Sequence, residues 1–117
     1  MATIDELVRD FRIAAMEKGE EGGPLDGGLY DRLRTSFHQL RSLGTSGHRA
    51  FQGLLRDPSP SVRTWVAAQL LAEGDLEALS VLRDLVHEKG MGGFNARITI
   101  QEYEAGRLKP PFGAAAA

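Results

Sequence analysis

The sequence predicts an all-α protein of about six helices, arranged as three stacked antiparallel hairpins. Three observations carry that expectation. From Val62 to Ala72 nearly every side chain is apolar, and a helix apolar on most of its circumference must be covered on several sides. Leu29, Leu33, Phe37 and Leu40 fall at i, i+4, i+8 and i+11, a continuous core stripe. Finally, Leu54 and Val86, Val62 and Phe94, Val66 and Ile98, and Gly74 and Gly106 stand in register at one offset of about 32 residues, a spacing that suits a repeated helical hairpin.

Taken in order, Thr3-Ile4-Asp5-Glu6 has the form of a capping box. Leu7, Phe11, Ala14 and Ala15 then recur at helical spacing, so a first helix is expected to about Lys18. Gly19 to Gly28, rich in glycine and acid with Pro24, reads as an interhelical loop. A phosphate cradle there would need the lysine and fixed glycine spacing of a P-loop, which it lacks. The second helix carries the core stripe and stops at Gly44. Thr45 or Ser46 is expected to cap a third helix that buries Phe51, Leu54 and Leu55. Ser46 close to His48 invites a catalytic reading, but a nucleophile elbow needs a strand-to-helix turn, and helices are expected on both sides.

Asp57-Pro58 ends that helix, Ser59 caps the fourth, and Pro60 takes its first turn, where a missing N–H costs nothing. Gly74 supplies the stop and Asp75 the next cap. A fifth helix with Leu79, Leu82 and Val86 runs to Lys89-Gly90, and Met91-Gly92-Gly93 reads as a turn. Phe94 to Ala105 is the ambiguous element, because Ile98-Thr99-Ile100 is β-branched and alternating. The register with the fourth helix assigns it to helix. The expected domain is therefore 1–108, followed by an extended tail over 109–117 whose closing alanine run has the look of added sequence.

The helix stop at Asp57-Pro58, then Val62-Arg63, Ala67-Ala68, Leu70-Leu71 and Gly74-Asp75 with an apolar helix following, resembles the second helix of a HEAT-type repeat. It is similar to the HEAT-like units of phycobilisome lyase proteins, well over Gly47 to Val86 and more faintly over Phe94 to Gly106. Short bacterial HEAT-like domains of unknown function are similar across most of the chain. The resemblance implies a HEAT/armadillo-like right-handed α-α superhelix whose second, fourth and sixth helices line a partner-binding face. It also implies that Asp57 and Arg63 form a local brace across their hairpin. It implies no catalytic residue, since the shared positions are core and turn positions.

Composition narrows the function classes. The chain has 117 residues, 42% apolar and 26% charged, a net charge of −2 and no cysteine. Disulfides, thiol catalysis and cysteine-ligated zinc are thereby excluded. There is no basic-then-apolar signal pattern near Asp5 and Glu6 and no apolar run of the ~18 residues that span a bilayer, so a cytoplasmic location without membrane contact is expected. His38, His48 and His87 do not stand at ligand spacing, and no metal or other cofactor is expected. Arg34, His38 and Arg41, at i, i+4 and i+7, make a basic stripe beside the core stripe of the second helix. Such a stripe is ordinarily a solvated face; as a site, it would dock an acidic protein surface. Arg49 and Arg56 add positive charge nearby, yet a phosphate-backbone binder normally shows a net basic balance, which disfavours nucleic acid. The expectation is a non-enzymatic protein-interaction module, foremost an immunity-type protein that occludes a cognate bacterial toxin. An adaptor or assembly factor with HEAT-like repeats is the alternative, and a weak nucleic-acid-binding helical domain the second alternative.

Overall fold

A computed structural model describes residues 2–21 and 28–114, with side chains at 19–21 and 91 outside the description. The expected loop therefore lies mostly outside the described residues, as do the last three alanines. Six α-helices follow one another: α1 (Ile4–Glu21), α2 (Leu29–Ser42), α3 (Thr45–Gly53, continued by a 3-10 turn at Leu54–Arg56), α4 (Pro60–Ala72), α5 (Leu76–Leu85) and α6 (Met91–Glu104). No strand occurs among the described residues, and the segment 98–100 is helical. Its β-branched side chains cost little there: Thr99 Oγ1 bonds back to the Asn95 carbonyl at 2.8 Å, and Ile100 packs on the core.

Most helix ends follow the local chemistry. Thr3 Oγ1 accepts from the Glu6 N–H at 3.1 Å while Glu6 reaches back to the Thr3 N–H at 3.4 Å. Ser59 caps α4 through the Val62 N–H, and Asp75 caps α5 through the Glu77 N–H. At the other ends, Gly74 and Gly106 take positive φ angles of 96° and 73°. Asp75 N–H bonds Leu70 O at 2.9 Å, and Arg107 N–H bonds Glu102 O at 2.8 Å. The two helices that stand in register at that offset, α4 and α6, thus close with the same left-handed glycine cap.

Four boundaries differ from expectation. α1 continues through Gly19 and Glu20 to Glu21. α5 stops at Leu85, so Lys89 lies in the turn beyond it rather than on its last turn. Met91-Gly92-Gly93 is the first turn of α6 rather than a connection. The cap of α3 is Gly44 itself, at φ 76°, with Thr45 and Ser46 already helical. The last two share a cause. Gly44 and Gly90 both turn the chain within one residue, at φ 76°, ψ −146° and φ 73°, ψ −148° respectively. Three residues later, Gly47 lets α3 press against the end of α2, and Gly93 lets α6 press against the turn that follows α5. A methyl added at Gly47 would stand 1.8 Å from the Leu40 carbonyl oxygen, and at Gly93 2.1 Å from that of Glu88. The Gly44-Thr45-Ser46-Gly47 stretch is a helix corner.

α1 pairs with α2, α4 with α5 and α5 with α6, while α1 also lies along α4. The core runs through all of them and includes Phe11, Leu33, Phe37, Phe51, Val62, Val66, Leu70, Leu71 and Leu82. α2 and α4 make little direct contact. What separates them is the segment after α6, described next.

Candidate functional site

Residues 107–110 carry no regular structure, and Pro110–Gly113 then forms a β-turn in which Gly113 N–H bonds Pro110 O at 3.0 Å. Pro111 at the second position and Gly113 at the fourth, with φ 82°, are the residues such a turn favours. The turn drives Phe112 into the groove between α2 and α4, where the side chain is completely buried. The segment expected to be a tail outside the domain contributes one of the four fully buried phenylalanines.

Phe112 meets rings from three helices. Trp65 of α4 stacks on it at 5.5 Å and 25°, Phe37 of α2 lies at 5.4 Å, Phe11 of α1 meets it edge-on at 5.7 Å, and Tyr30 lies at 6.2 Å. Tilted and edge-on rings at these distances add attraction beyond area burial. Trp65 is half-buried and forms one wall of this slot.

The backbone of the turn is as fully engaged as its side chain. Tyr30 Oη donates to the Pro111 carbonyl. His38 Nε2 lies 2.8 Å from the Phe112 carbonyl oxygen; a carbonyl can only accept, so Nε2 bears the proton. Gln69 Oε1 accepts from the Phe112 N–H at 2.9 Å, and Gln69 Nε2 donates to the Gly113 carbonyl at 3.0 Å and to Glu73 Oε2 at 2.8 Å. With Pro110 O taken by the turn itself, the carbonyls of residues 110–113 and the N–H groups of Phe112 and Gly113 all have partners. That is a complete account for a buried segment. Gln69, at 0% exposure on an otherwise apolar helix face, is the pivot.

The basic stripe of α2 divides in this setting. Arg34 is exposed. His38 holds the turn. Arg41 lies over the rings of Phe37 and Phe51, 4.8 and 5.6 Å from their centroids, and pairs with Glu73 through Nη2 at 2.5 Å and Nη1 at 3.1 Å. Its Nε is buried without a hydrogen-bond partner, facing aromatic surface instead. The stripe is one solvated cation and two structural groups.

The expected brace is also re-partnered. Asp57 pairs with Arg12 of α1, Nε to Oδ1 at 2.5 Å and Nη2 to Oδ2 at 3.4 Å, and accepts from the Ser59 N–H at 2.9 Å. Its hydrogen bond to Asp57 raises the Arg12 guanidinium further above its ordinary value, against a smaller effect of burial. Arg63 instead approaches Glu88 at 4.0 Å. Asp57 therefore ties α1 to the turn before α4. Arg63 reaches instead toward Glu88, in the turn that follows α5.

A second surface lies on α6. Phe94 and Ile98, at i and i+4, are 47% and 41% exposed. The residues in register with them on α4, Val62 and Val66, are fully buried. Among the described residues, no group of three or more histidine and carboxylate side chains could hold a metal ion, and no helix is long and apolar enough to cross a membrane. The sequence reading missed Gln69, Phe112, Tyr30 and Arg12. A lone amide on an apolar helix and a Pro-Pro-Phe-Gly run were the signals available for the first two. No protein-family model matches the chain, nor does any curated protein or solved structure compared with it.

Proposed function

We propose that the protein is a non-catalytic protein-binding module of the immunity type, which occludes a cognate toxin rather than turning over a substrate. The supporting observation is the outer face of α6. Phe94 and Ile98 stand exposed one helical turn apart, with the exposed Arg97 beside them, at positions that α4 keeps covered. Large apolar side chains clustered on one exposed helix face are what a partner surface buries. A cation beside them suits an acidic partner, as an inhibited toxin would supply, and rim charges of this kind act chiefly on the association rate.

The test is co-expression with a toxin domain encoded beside this gene. The wild-type protein should protect the host cell, and the Phe94→Glu/Ile98→Glu variant, with an unchanged melt, should not. Protection that survives the double change would remove α6 from the interface. A neighbouring operon of biosynthetic or regulatory genes, with no toxin and no growth phenotype, would point to an adaptor instead.

A further inference from the structure

We propose that the groove between α2 and α4 is a recognition site for a protein segment that forms a proline-aromatic-glycine turn, and that residues 110–113 occupy it in cis. This goes beyond the α6 reading and uses a different face of the molecule.

Three features of the groove select that ligand. The first is how it reads the segment. Tyr30 Oη, His38 Nε2 and both ends of the Gln69 amide bond main-chain atoms. Any peptide that adopts the same turn presents the same atoms. The second is the slot that Phe112 fills, walled by Phe11, Phe37 and Trp65. It demands a flat aromatic side chain at the third position of the turn. The third is the turn itself: proline at the second position has its φ preset and carries no N–H to satisfy, and glycine at the fourth accepts the positive φ of 82°.

The occupant's attachment makes exchange feasible. After Arg107 closes the cap of α6, residues 108–110 make no regular structure, so 110–113 can leave the groove while α6 keeps its own hydrogen bonds. What would otherwise open is an apolar slot in which Gln69 Oε1 and His38 Nε2 lose their partners, while Gln69 Nε2 keeps Glu73. A partner's turn fills both needs together. The cis segment therefore sets a threshold: a ligand in trans must outcompete a tethered copy, whose effective concentration across a short linker is of order millimolar.

The experiment uses the full chain carrying Phe112→Ala and a fluorescent synthetic peptide of residues 107–114. Saturable binding by the variant is expected, with the wild-type chain at least about tenfold weaker because its own turn competes. A peptide with alanine in place of phenylalanine should not bind. Gln69→Leu added to the variant should weaken binding by about tenfold or more, because the peptide's N–H and C=O lose their partner. Phe94→Glu/Ile98→Glu should leave peptide binding unaltered, which separates this site from α6. Should Phe112→Ala fail to melt cooperatively, Phe112→Leu, which refills most of the slot, takes its place under the same criteria. A folded variant that shows no saturable binding, or that binds no better than wild type, overturns the proposal. A concentration-dependent wild-type dimer that the peptide dissociates overturns the assignment to a foreign partner, since the occupant in trans is then a second copy.

Discussion

Helices α4 and α6 share an offset, a terminal glycine cap and a glutamine at the same place, Gln69 and Gln101, yet they live in different surroundings. α4 buries Val62, Val66 and Gln69 completely, between α1, α5, α6 and the turn at 110–113. α6 buries Ala96 and rests Ile100 and Tyr103 on the core, while Phe94, Ile98 and Gln101 face outward. A repeated sequence pattern therefore specifies a helix and its stop, but the neighbours specify what its outer positions are for. In α4 those positions are core and a clamp on the chain's own turn at 110–113; in α6 they remain surface.

The largest expected effect breaks this comparison most directly. Val66→Asp leaves an unpaired charge in the core, a defect that rivals a total stability of about 5–15 kcal/mol, and should abolish the cooperative thermal melt. Ile98→Asp at the matching position should shift stability by no more than roughly 1 kcal/mol. Equal effects would mean that α6 is covered in solution.

The two glutamines sharpen it further. Gln69→Leu strands the Phe112 N–H and the Gly113 carbonyl, each at about 1–3 kcal/mol, whereas Gln101→Leu should fall within about ±0.5 kcal/mol. Denaturant titration of both variants reads the difference, and Trp65 fluorescence should change with the first alone, since Trp65 stacks on Phe112.

On α2, Arg41→Glu removes the pair with Glu73 and sets two carboxylates together beneath the end of α4, at about 1.5–3 kcal/mol. Arg34→Glu on the exposed side should stay within about ±0.5 kcal/mol. Charge reversal at both positions is thus a test of the fold as much as of a docking face, and Arg34→Glu alone is the clean probe of the latter.

The smallest effect is at the ends of the two helices. Where α4 is followed by Asp75, α6 is followed by Arg107, whose guanidinium bonds both Glu102 oxygens at 3.1 and 3.2 Å. The hydrogen bond from Arg107 holds the Glu102 carboxyl below its ordinary value. A carboxyl depressed in the folded state contributes stability above its unfolded pKa and loses it as pH falls through the folded one. Melting temperatures of wild type and Arg107→Ala should therefore differ slightly near neutrality and converge in acid. The pair is exposed, so salt should narrow the gap at neutral pH too.

Helix boundaries set by a side chain within three residues were legible in the sequence: the Thr3–Glu6 box, the Ser59-Pro60 start, the Asp75 cap and the Gly74 and Gly106 stops. The core stripe of α2 was equally plain. Partners distant along the chain were not. Asp57 chooses Arg12, 45 residues away, over Arg63 nearby, and nothing in local spacing encodes that choice. Pro110–Gly113 reads in the sequence as part of an extended tail, and its turn and destination depend on a gap between α2 and α4 that exists only once the helices pack. The basic stripe illustrates the same limit. Periodicity put Arg34, His38 and Arg41 on one side of α2, and only packing divides that side between solvent, the turn and Glu73.

The two glycine corners invert a common rule of stabilisation. Replacing an interior helical glycine by alanine ordinarily gains about 0.5–1 kcal/mol through lost freedom in the unfolded chain. Gly53, with open space around its missing side chain, should obey. Gly47 and Gly93 should not, because their methyl groups would displace a backbone carbonyl just before the corner, that of Leu40 in α2 and that of Glu88 in the turn after α5. Here helix propensity has been surrendered for turning radius: the chain turns sharply at Gly44 after α2 and at Gly90 before α6. A thermostabilised variant built by glycine-to-alanine exchange would thus have to spare these two sites, since straightening either helix end would pry apart the hairpins that the corner folds together.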